Sequence, residues 1–599
     1  MFTATTVNAQ LISYPPQKIM GFRGLDSNSS APLIPDSRAS DLQNVRLSSA
    51  LDLRQRYGYD TVNNQTLDDL DIDSPAITGI FDAEYSDGTS WTLAFVGSKL
   101  KYDNSGVWTQ VTDTGITSGK NGQWECIMAL DSAVCTNDVD VPLKINSTPT
   151  ASALDVSDLS DTLTKAKTSL WFRNYLIFMN TVENAVERPT RFRWSDVGTI
   201  ETYQDDNFND IATFAGDEII GASEMYGDIY IFLTKSIWKA SLVGGDEIFI
   251  FKKIIDGIGA AARDSIQTVQ LPNNRSVTMF LDDRKKVYMF DGVSVVNIGH
   301  IIQPTLDGMS SARLQYAVST FDGDDYILCV TKSASSENDL CFDYQIEVLE
   351  WTKFDGIVAN AMAQVEESAS LIKSYFGDYD SMVFWLDNPD LKNDVAGASG
   401  IVDSVGIVDT GTITGAQILI DATVETEVYT GATVKITSGT GAGQSAVISA
   451  YTSTGIVLTQ PMTTSPDSTS VYSVGAIDAY YNGKHYELGD AAMEKTQFLG
   501  MLMWGEEASG NAVDVAYAID FGSNIESETV SLAPSGSSLW DVALWDSGTW
   551  GTTGDKIYTV KFSGLGNHIQ PKFSNNKVDE TFHLYGYNII ATGGDIKQP

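Results

Sequence analysis

From about residue 77 to residue 390 the chain repeats one device. A short run of alternating apolar and polar residues ends at Asp, Asn or Gly, and another such run follows. Trp91-Thr92-Leu93-Ala94-Phe95-Val96 passes through Gly97-Ser98 to Leu100-Lys101-Tyr102, and Ser169-Leu170-Trp171-Phe172 passes through Arg173-Asn174 to Tyr175-Leu176-Ile177-Phe178. Gly227-Asp228 precedes Ile229-Tyr230-Ile231-Phe232-Leu233, Asp282-Asp283 separates Val277–Leu281 from Val287–Phe290, and Gly323-Asp324-Asp325 precedes Tyr326–Val330. Alternation with a period of two puts one face of each run on a core, and the punctuating residues suit tight turns, so each unit reads as a β-hairpin. The hairpins recur at a blade-like spacing of about 40 to 60 residues, which is the behaviour of a β-propeller without a WD or kelch signature. An array of β-sandwiches is the rival architecture.

The flanking regions differ in texture. Residues 1 to 20 read as an extended arm with Pro15-Pro16, and Ser40 stands as a possible N-cap for a short helix over Ser40–Val45. Two other helices are expected, over Ala260–Val269 and Thr305–Leu314. Between residues 401 and 476 aromatics nearly vanish and Gly, Thr, Ser, Val and Ile dominate, which reads as a small barrel or sandwich of five or six strands. Aromatic residues return after 477. At 599 residues the chain is too long for one ordinary core. The expected organisation is all-β: an N-terminal arm and assembly segment (1–60), an irregular β-propeller core (61–400), an inserted small β-barrel or sandwich domain (401–476) and a C-terminal β-sandwich region (477–599).

Charge and cysteine content narrow the function. With 78 Asp+Glu against 38 Lys+Arg the formal net charge is -40, which excludes a general polyanion-binding surface. One reading of the acidity is solubility, with Asp serving turns; the other is a surface that DNA slides past without sticking. Cys126, Cys135, Cys329 and Cys341 form no C-x-x-C pair, and the four His offer no zinc spacing. Cys126 with Cys135, and Cys329 with Cys341, could bridge hairpins. Free thiols in a protein made in a reducing cytoplasm are the favoured expectation. The N-terminus lacks a basic stretch followed by an apolar core, so no signal peptide is expected, and no run approaches a membrane span.

No catalytic, cofactor or metal residues are assigned. Gly439-Thr440-Gly441-Ala442-Gly443 lacks the Lys of a phosphate loop and precedes a strand, so it reads as a turn needing positive φ. Asp68-Asp69, Asp205-Asp206, Asp282-Asp283 and Asp324-Asp325 suit turns better than a glycosidase pair, and no run fits a Ca²⁺ loop. Trp540, Trp545 and Trp550 lie in a W-D-x-x-x-W-D-x-x-x-W pattern. It suits a rigid loop of packed rings, with a sugar-stacking platform as the alternative.

Several segments, in order, resemble tail tubular or nozzle proteins of short-tailed bacteriophages. They are Gly24-Leu25 … Pro35 … Ala39-Ser40-Asp41-Leu42-Gln43-Asn44-Val45 … Leu53-Arg54-Gln55-Arg56-Tyr57-Gly58-Tyr59, then Tyr226–Phe232 with Ser236-Ile237-Trp238, Gly259-Ala260 … Ser265 and Phe280–Gly292. Trp540–Trp550 and Gly564-Leu565-Gly566-Asn567-His568-Ile569 are similar to the same family's end. The insert, with Gly441-Ala442-Gly443-Gln444 and Pro466–Tyr472, resembles a module recurrent in phage structural proteins.

The resemblance implies a non-enzymatic virion protein assembled in the host cytoplasm. It would be a homo-oligomer, a hexamer by that likeness, around a central DNA channel. Its partners would be portal or adaptor proteins, tail-fibre proteins and double-stranded DNA in transit, with no membrane span. The insert would be an outward decoration or a fibre dock. Residues 1 to 20 could be an exchanged strand, and Arg46, Arg54 and Arg56 are the candidate assembly interface, facing an acidic neighbour. The alternative function is a host-receptor or glycan-binding β-propeller; a third is a polysaccharide depolymerase, although no long β-helix or heptad pattern is present.

Overall fold

The computed structural model describes residues 16–63, 67, 76–112, 116–117, 121–212, 216–245, 247–368, 371–395, 398–401, 417–418, 432–452, 455–458, 460–467, 469–488, 495–508, 511–522, 526–533 and 555–593. The chain divides into two units. One comprises residues 57–347 and 354–475; the other comprises 1–56, 348–353 and 476–599.

The first unit is a seven-bladed β-propeller, counted among the described residues. Its seven antiparallel sheets begin at Ile77–Glu84, Glu125–Ala129, Leu163–Phe172, Ile219–Met225, Gln267–Gln270, Val318–Phe321 and Ala361–Ser368 (blades 1 to 7). Within blades 1 to 6, strands follow sequence order from the inside out. The first strand of every blade touches the first strand of the next, and Ala361–Ser368 touches Ile77–Glu84, so the ring closes. Turn chemistry explains the regularity. Arg173 and Asn174 both adopt positive φ (48° and 67°), as do Tyr226 and Gly227 (53° and 80°). Two positive values in a two-residue loop match the twist of the flanking strands. Buried side chains then fill the spaces between sheets, as Ile177, Phe192, Ile231 and Phe249 do between blades 3 and 4.

Blade 7 is completed from the far end of the sequence. Leu371–Gly377 and Val383–Asn388 follow Ala361–Ser368, and the fourth strand is Gly58–Thr61, antiparallel to Val383–Asn388. The expected boundary at 60/61 therefore falls inside the strand that closes the propeller. The seam between blades 7 and 1 is tight: a Cβ on Gly377 would lie 2.3 Å from Ile77 Cγ2.

Asp378 sits at that seam. Its carbonyl accepts the Ile77 N–H at 2.9 Å, and its carboxyl accepts N–H groups of Met382 (2.8 Å) and Asp380 (2.9 Å). Burial pushes the carboxyl up to about 8, against the lowering effect of the Met382 and Asp380 hydrogen bonds. A raised folded-state value means that the unfolded chain ionises first. Stability from this group is therefore full below the ordinary carboxylate range and lost as pH rises towards 8. Asp378→Asn is expected to remove that loss, a slope of at most about 1.4 kcal/mol per pH unit. Thermal melts of both proteins between pH 5 and 9 test it: the Asn variant gains relative to wild type up to about pH 8 and then no further. Parallel profiles would contradict the assignment.

The expected free thiols are not found. Cys126 and Cys135 face each other across Glu125–Ala129 and Ser132–Thr136 and are disulfide-bonded, as are Cys329 and Cys341 across Asp325–Val330 and Leu340–Gln345. The register puts each pair directly opposite, with Cα atoms 4.1 and 4.0 Å apart. The free-thiol expectation rested on the cellular compartment, which says nothing about this geometry. Peptide mapping without reductant is expected to recover both linkages, and reduction to cost about 2–4 kcal/mol per bond. Four alkylatable thiols in the denatured, unreduced protein would contradict this.

The insert begins slightly earlier than expected, at Ala398–Ile401. Its six described strands form one sheet, in which Thr433–Ser438 lies between Val471–Val474 and Ser445–Thr452. Gly439, Gly441 and Gly443 all have positive φ, as the turn reading requires. Val434, Ile436 and Tyr472 share one core with Phe376 and Phe384 of blade 7, so the module is welded to the propeller.

The second unit is a β-sandwich. One sheet runs Asp555–Gly566, Thr496–Glu506, His583–Gly593, Leu53–Gln55, Val45–Leu47, with Gln17–Met20 also on His583–Gly593. The other runs Asp41–Gln43, Ala479–Asn482, His568–Asn575, Ala512–Ile519, Glu526–Ser531. Burial alternates along His568–Asn575, the pattern of a strand with one face on the core. Phe22 fills the centre, 5.1 Å from Tyr481 and 5.9 Å from Tyr587. Residues 16–56 are thus part of the C-terminal sandwich, where an assembly arm was expected, and Gln17–Met20 pairs within its own chain. Glu350 holds the segment 348–353 in this unit: Arg38 Nη1 lies 2.8 Å and Arg23 Nη1 3.0 Å from its carboxylate.

The helices also differ from expectation. Ser40–Val45 forms strands Asp41–Gln43 and Val45–Leu47 around Asn44 at φ 53°, because its ladder to Ala479–Asn482 outweighs local capping. Ala260–Val269 keeps one 3₁₀ turn, Arg263–Ser265, before a strand. Thr305–Leu314 becomes a helix at Gln303–Asp307 and a 3₁₀ turn at Ser311–Tyr316, interrupted by Gly308.

Candidate functional site

The segments leading into the inner strands converge on the propeller axis. They line a cavity of about 500 Å³ that includes Gln123, Asp138, Lys167, Glu218, Arg263 and Tyr316. Arg263 is placed there by the 3₁₀ turn that links blades 4 and 5. Its Nη1 donates to the Lys167 carbonyl of blade 3 at 2.8 Å, and its Nη2 donates to the Gln123 carbonyl before blade 2 at 3.0 Å. Nε donates to Asp264 Oδ1 at 2.7 Å. One planar cation therefore ties three parts of the ring together, a geometry that Lys could not reproduce.

Side-chain amides extend the network. Gln123 Nε2 donates to the carbonyls of Tyr316 (3.2 Å) and Asn360 (3.1 Å), and Asn360 Nδ2 donates to the Ile77 carbonyl at 2.8 Å. The polar chain thus runs from blade 1 through blade 7 to the entries of blades 2 and 6. Buried carbonyls that the ladders leave over find partners here.

Burial pushes the Glu125 carboxyl up, an effect that nearby Arg263 opposes. Burial likewise raises Asp138, opposed chiefly by Lys167, whose Nζ lies 3.5 Å from Glu218. Burial works against the Arg263 charge, but Asp264 and Glu125 outweigh it and hold the guanidinium above its ordinary value. The arrangement is a crossbraced, mixed-charge plug. It leaves room for a small polar molecule and none for a nucleic-acid duplex.

The residues singled out from sequence lie elsewhere. Arg46 and Arg54 are cross-strand neighbours in the sandwich. Arg46 and Arg56 are buried, Arg56 donating from Nε to Asn44 Oδ1 at 3.0 Å, and Arg54 is half-buried. Their position inside the fold leaves Arg46 and Arg56 no surface to offer a neighbour. Arg56→Glu is expected to cost about 3 kcal/mol or more in urea unfolding, by putting a carboxylate into a site built for a cation. Retained stability would contradict that placement. Trp540, Trp545 and Trp550 lie outside the described residues.

Sequence reading missed Arg263 and a second ionic cluster in blade 3. There Glu183, fully buried, accepts from Arg191 Nη1 (2.6 Å) and Arg193 Nη2 (2.8 Å), while Arg191 also grips Asp210 at 2.8 Å. Burial raises the Glu183 carboxyl, but the hydrogen bonds and charge of Arg193, with Thr181 and Arg191, prevail and hold it below the usual range. The only available signal was the spacing of Arg191 and Arg193 at i, i+2 on one strand face, which is common in strands. Among the described residues, no group of three or more His, Cys, Asp or Glu could hold a metal ion.

Closed rings of radial antiparallel sheets define the propeller class, and the first unit belongs to it by topology. No protein-family model matches the chain. No curated protein matches it. Among solved structures it is similar to virginiamycin B lyase from Staphylococcus aureus, with 8% sequence identity, 55% of this chain and 98% of that chain covered, and a TM-score of 0.34. A likeness of that degree bears on no activity or site.

Proposed function

We propose that this chain is a non-enzymatic structural component of a phage tail, forming an oligomeric tube or nozzle ring that conducts DNA during ejection. One observation carries the reading: the segments by which the chain resembles that family are the ones on which its two units are built. Phe22, Leu25, Leu42, Val45 and Leu53 are buried in the sandwich, Gly58–Thr61 closes the propeller, and Gly259–Ser265 carries the axial pin. The matched segments therefore lie in the scaffold and not only in surface loops.

The axial plug adds a constraint. A duplex cannot thread a single chain, so a conduit has to run between several copies. Each copy contributes a net charge of -40, which repels the phosphate backbone and keeps DNA from adhering. Sedimentation of the purified protein tests the reading. The expected species has several times the 65.0 kDa chain mass. A monomer under all conditions, including in the presence of partner tail proteins, would contradict it.

A further inference from the structure

Blade 4 is wider than blade 5. The strands of blade 4, from Ile219–Met225 to Phe249–Asp256, have seven, six, seven and eight residues, whereas those of blade 5, from Gln267–Gln270 to Val295–Asn297, have four, six, four and three. The outer part of blade 4 therefore overhangs its neighbour. A groove of about 460 Å³ opens there, floored by Tyr230, Lys239, Ile250, Lys252 and Ile254 and bounded by Val293. The register explains the shared face: Lys239 stands opposite Lys252, and Ser241 opposite Ile250. The other face of the same strands, with Phe249, Phe251 and Trp238, packs into the core shared with blade 3.

Two properties of the groove are unusual for this chain. Ile250 is 47% exposed and Val293 76% exposed, so apolar surface is left uncovered. The groove is also basic: its lining holds Lys239 and Lys252 and no carboxylate, in a chain where acids lead 78 to 38. Lys239 is paired with Asp228 at 2.5 Å. Lys252 is exposed and has no partner among the described residues.

We propose that this groove is the docking surface for a second copy of this chain, seating one of its acidic segments on Lys252 with apolar side chains against Ile250 and Val293. The inference rests on the ring reading above and deepens it by naming one half of the subunit contact. Charge complementarity selects the occupant: a surface of this acid-rich chain is attracted to a groove lined by lysines and no carboxylate. A groove of one copy taking a different surface of the next is a head-to-tail contact, which generates rings.

The full-length protein carrying Val293→Cys provides the test, because its native cysteines are paired. Assembled and unassembled fractions are separated by sedimentation and treated with a maleimide. The expected result is fast labelling of the free chain and labelling slower by about tenfold or more in the ring, where the turn is covered. The double variant Ile250→Asp, Lys252→Glu is expected to keep the wild-type melting curve and lose the ring fraction. Rings in which the introduced thiol labels as fast as in the free chain overturn the inference and leave the ring reading standing. So do rings formed by the double variant at the wild-type level, as would follow if the groove served another virion protein. A wild-type chain that never assembles overturns both.

Discussion

Arg263→Met is expected to destabilise the propeller by about 3 kcal/mol, the low end of the cost of breaking a buried ion pair from one side, since Asp264 is partly exposed. The substitution removes the bonds to the Lys167 and Gln123 carbonyls and to Asp264, and it leaves the half-buried Glu125 beside an apolar side chain. Stranding the two carbonyls adds to the loss, since an unmade buried hydrogen bond costs more than a made one contributes. The effect should depend on pH. Burial already raises Glu125, and loss of the opposing cation raises it further. Its folded-state value is above the unfolded one, so stability falls as pH rises through the range between them. The deficit of Arg263→Met against wild type should therefore be smaller at pH 4.5 than at pH 8. Arg263→Lys should fall between the two, keeping the charge without the fork. Urea unfolding at both pH values measures this, and a deficit under about 1 kcal/mol with no pH dependence would sink the pin assignment.

Gly58→Val should act at the other vulnerable point, with a loss of about 4 kcal/mol or more. A Cβ at residue 58 would lie 1.7 Å from the Asn393 carbonyl oxygen. The backbone has little freedom to retreat: the Gly58 N–H donates to the Leu391 carbonyl at 3.0 Å, and Asp60 and Thr61 pair with Trp385 and Phe384. Relief of the clash requires the closing strand to leave blade 7, which opens the ring and exposes the edge of Val383–Asn388. Limited proteolysis should then cut near residues 57 to 63 in the variant and spare the wild type. A variant with the wild-type melting temperature and no new cleavage would show that the strand is not what holds the ring shut.

How far the sequence disclosed these points depended on the range of the interaction. Hairpins such as Leu163–Phe172/Tyr175–Glu183 were legible because Arg173-Asn174 specifies its turn locally. Gly58–Thr61 was not, since its partner lies over 300 positions away and four residues carry too little pattern to name it. Phe22 and Leu42 read as parts of an N-terminal assembly segment, Leu42 in a short helix, because their burial depends on strands from the last quarter of the chain. Arg263 was hidden differently. Its role depends on two carbonyls brought to the axis by ring closure, and no residue near it in sequence announces them. Arg46 and Arg56 were conspicuous as scarce positive charge, yet both point inward, Arg46 on a short strand and Arg56 just past its partner strand, against Asn44.

In the proposed ring, several copies of this closed, acidic scaffold surround a channel none of them contains alone. Top views of the purified assembly, averaged from single particles, test it most directly. The expected particle is a rotationally symmetric ring, six-fold by the family resemblance. Its central opening should be on the order of 20 Å or more, wide enough for a duplex with grooves of B-form size. Isolated chains, or closed particles with no opening of duplex width, would contradict it.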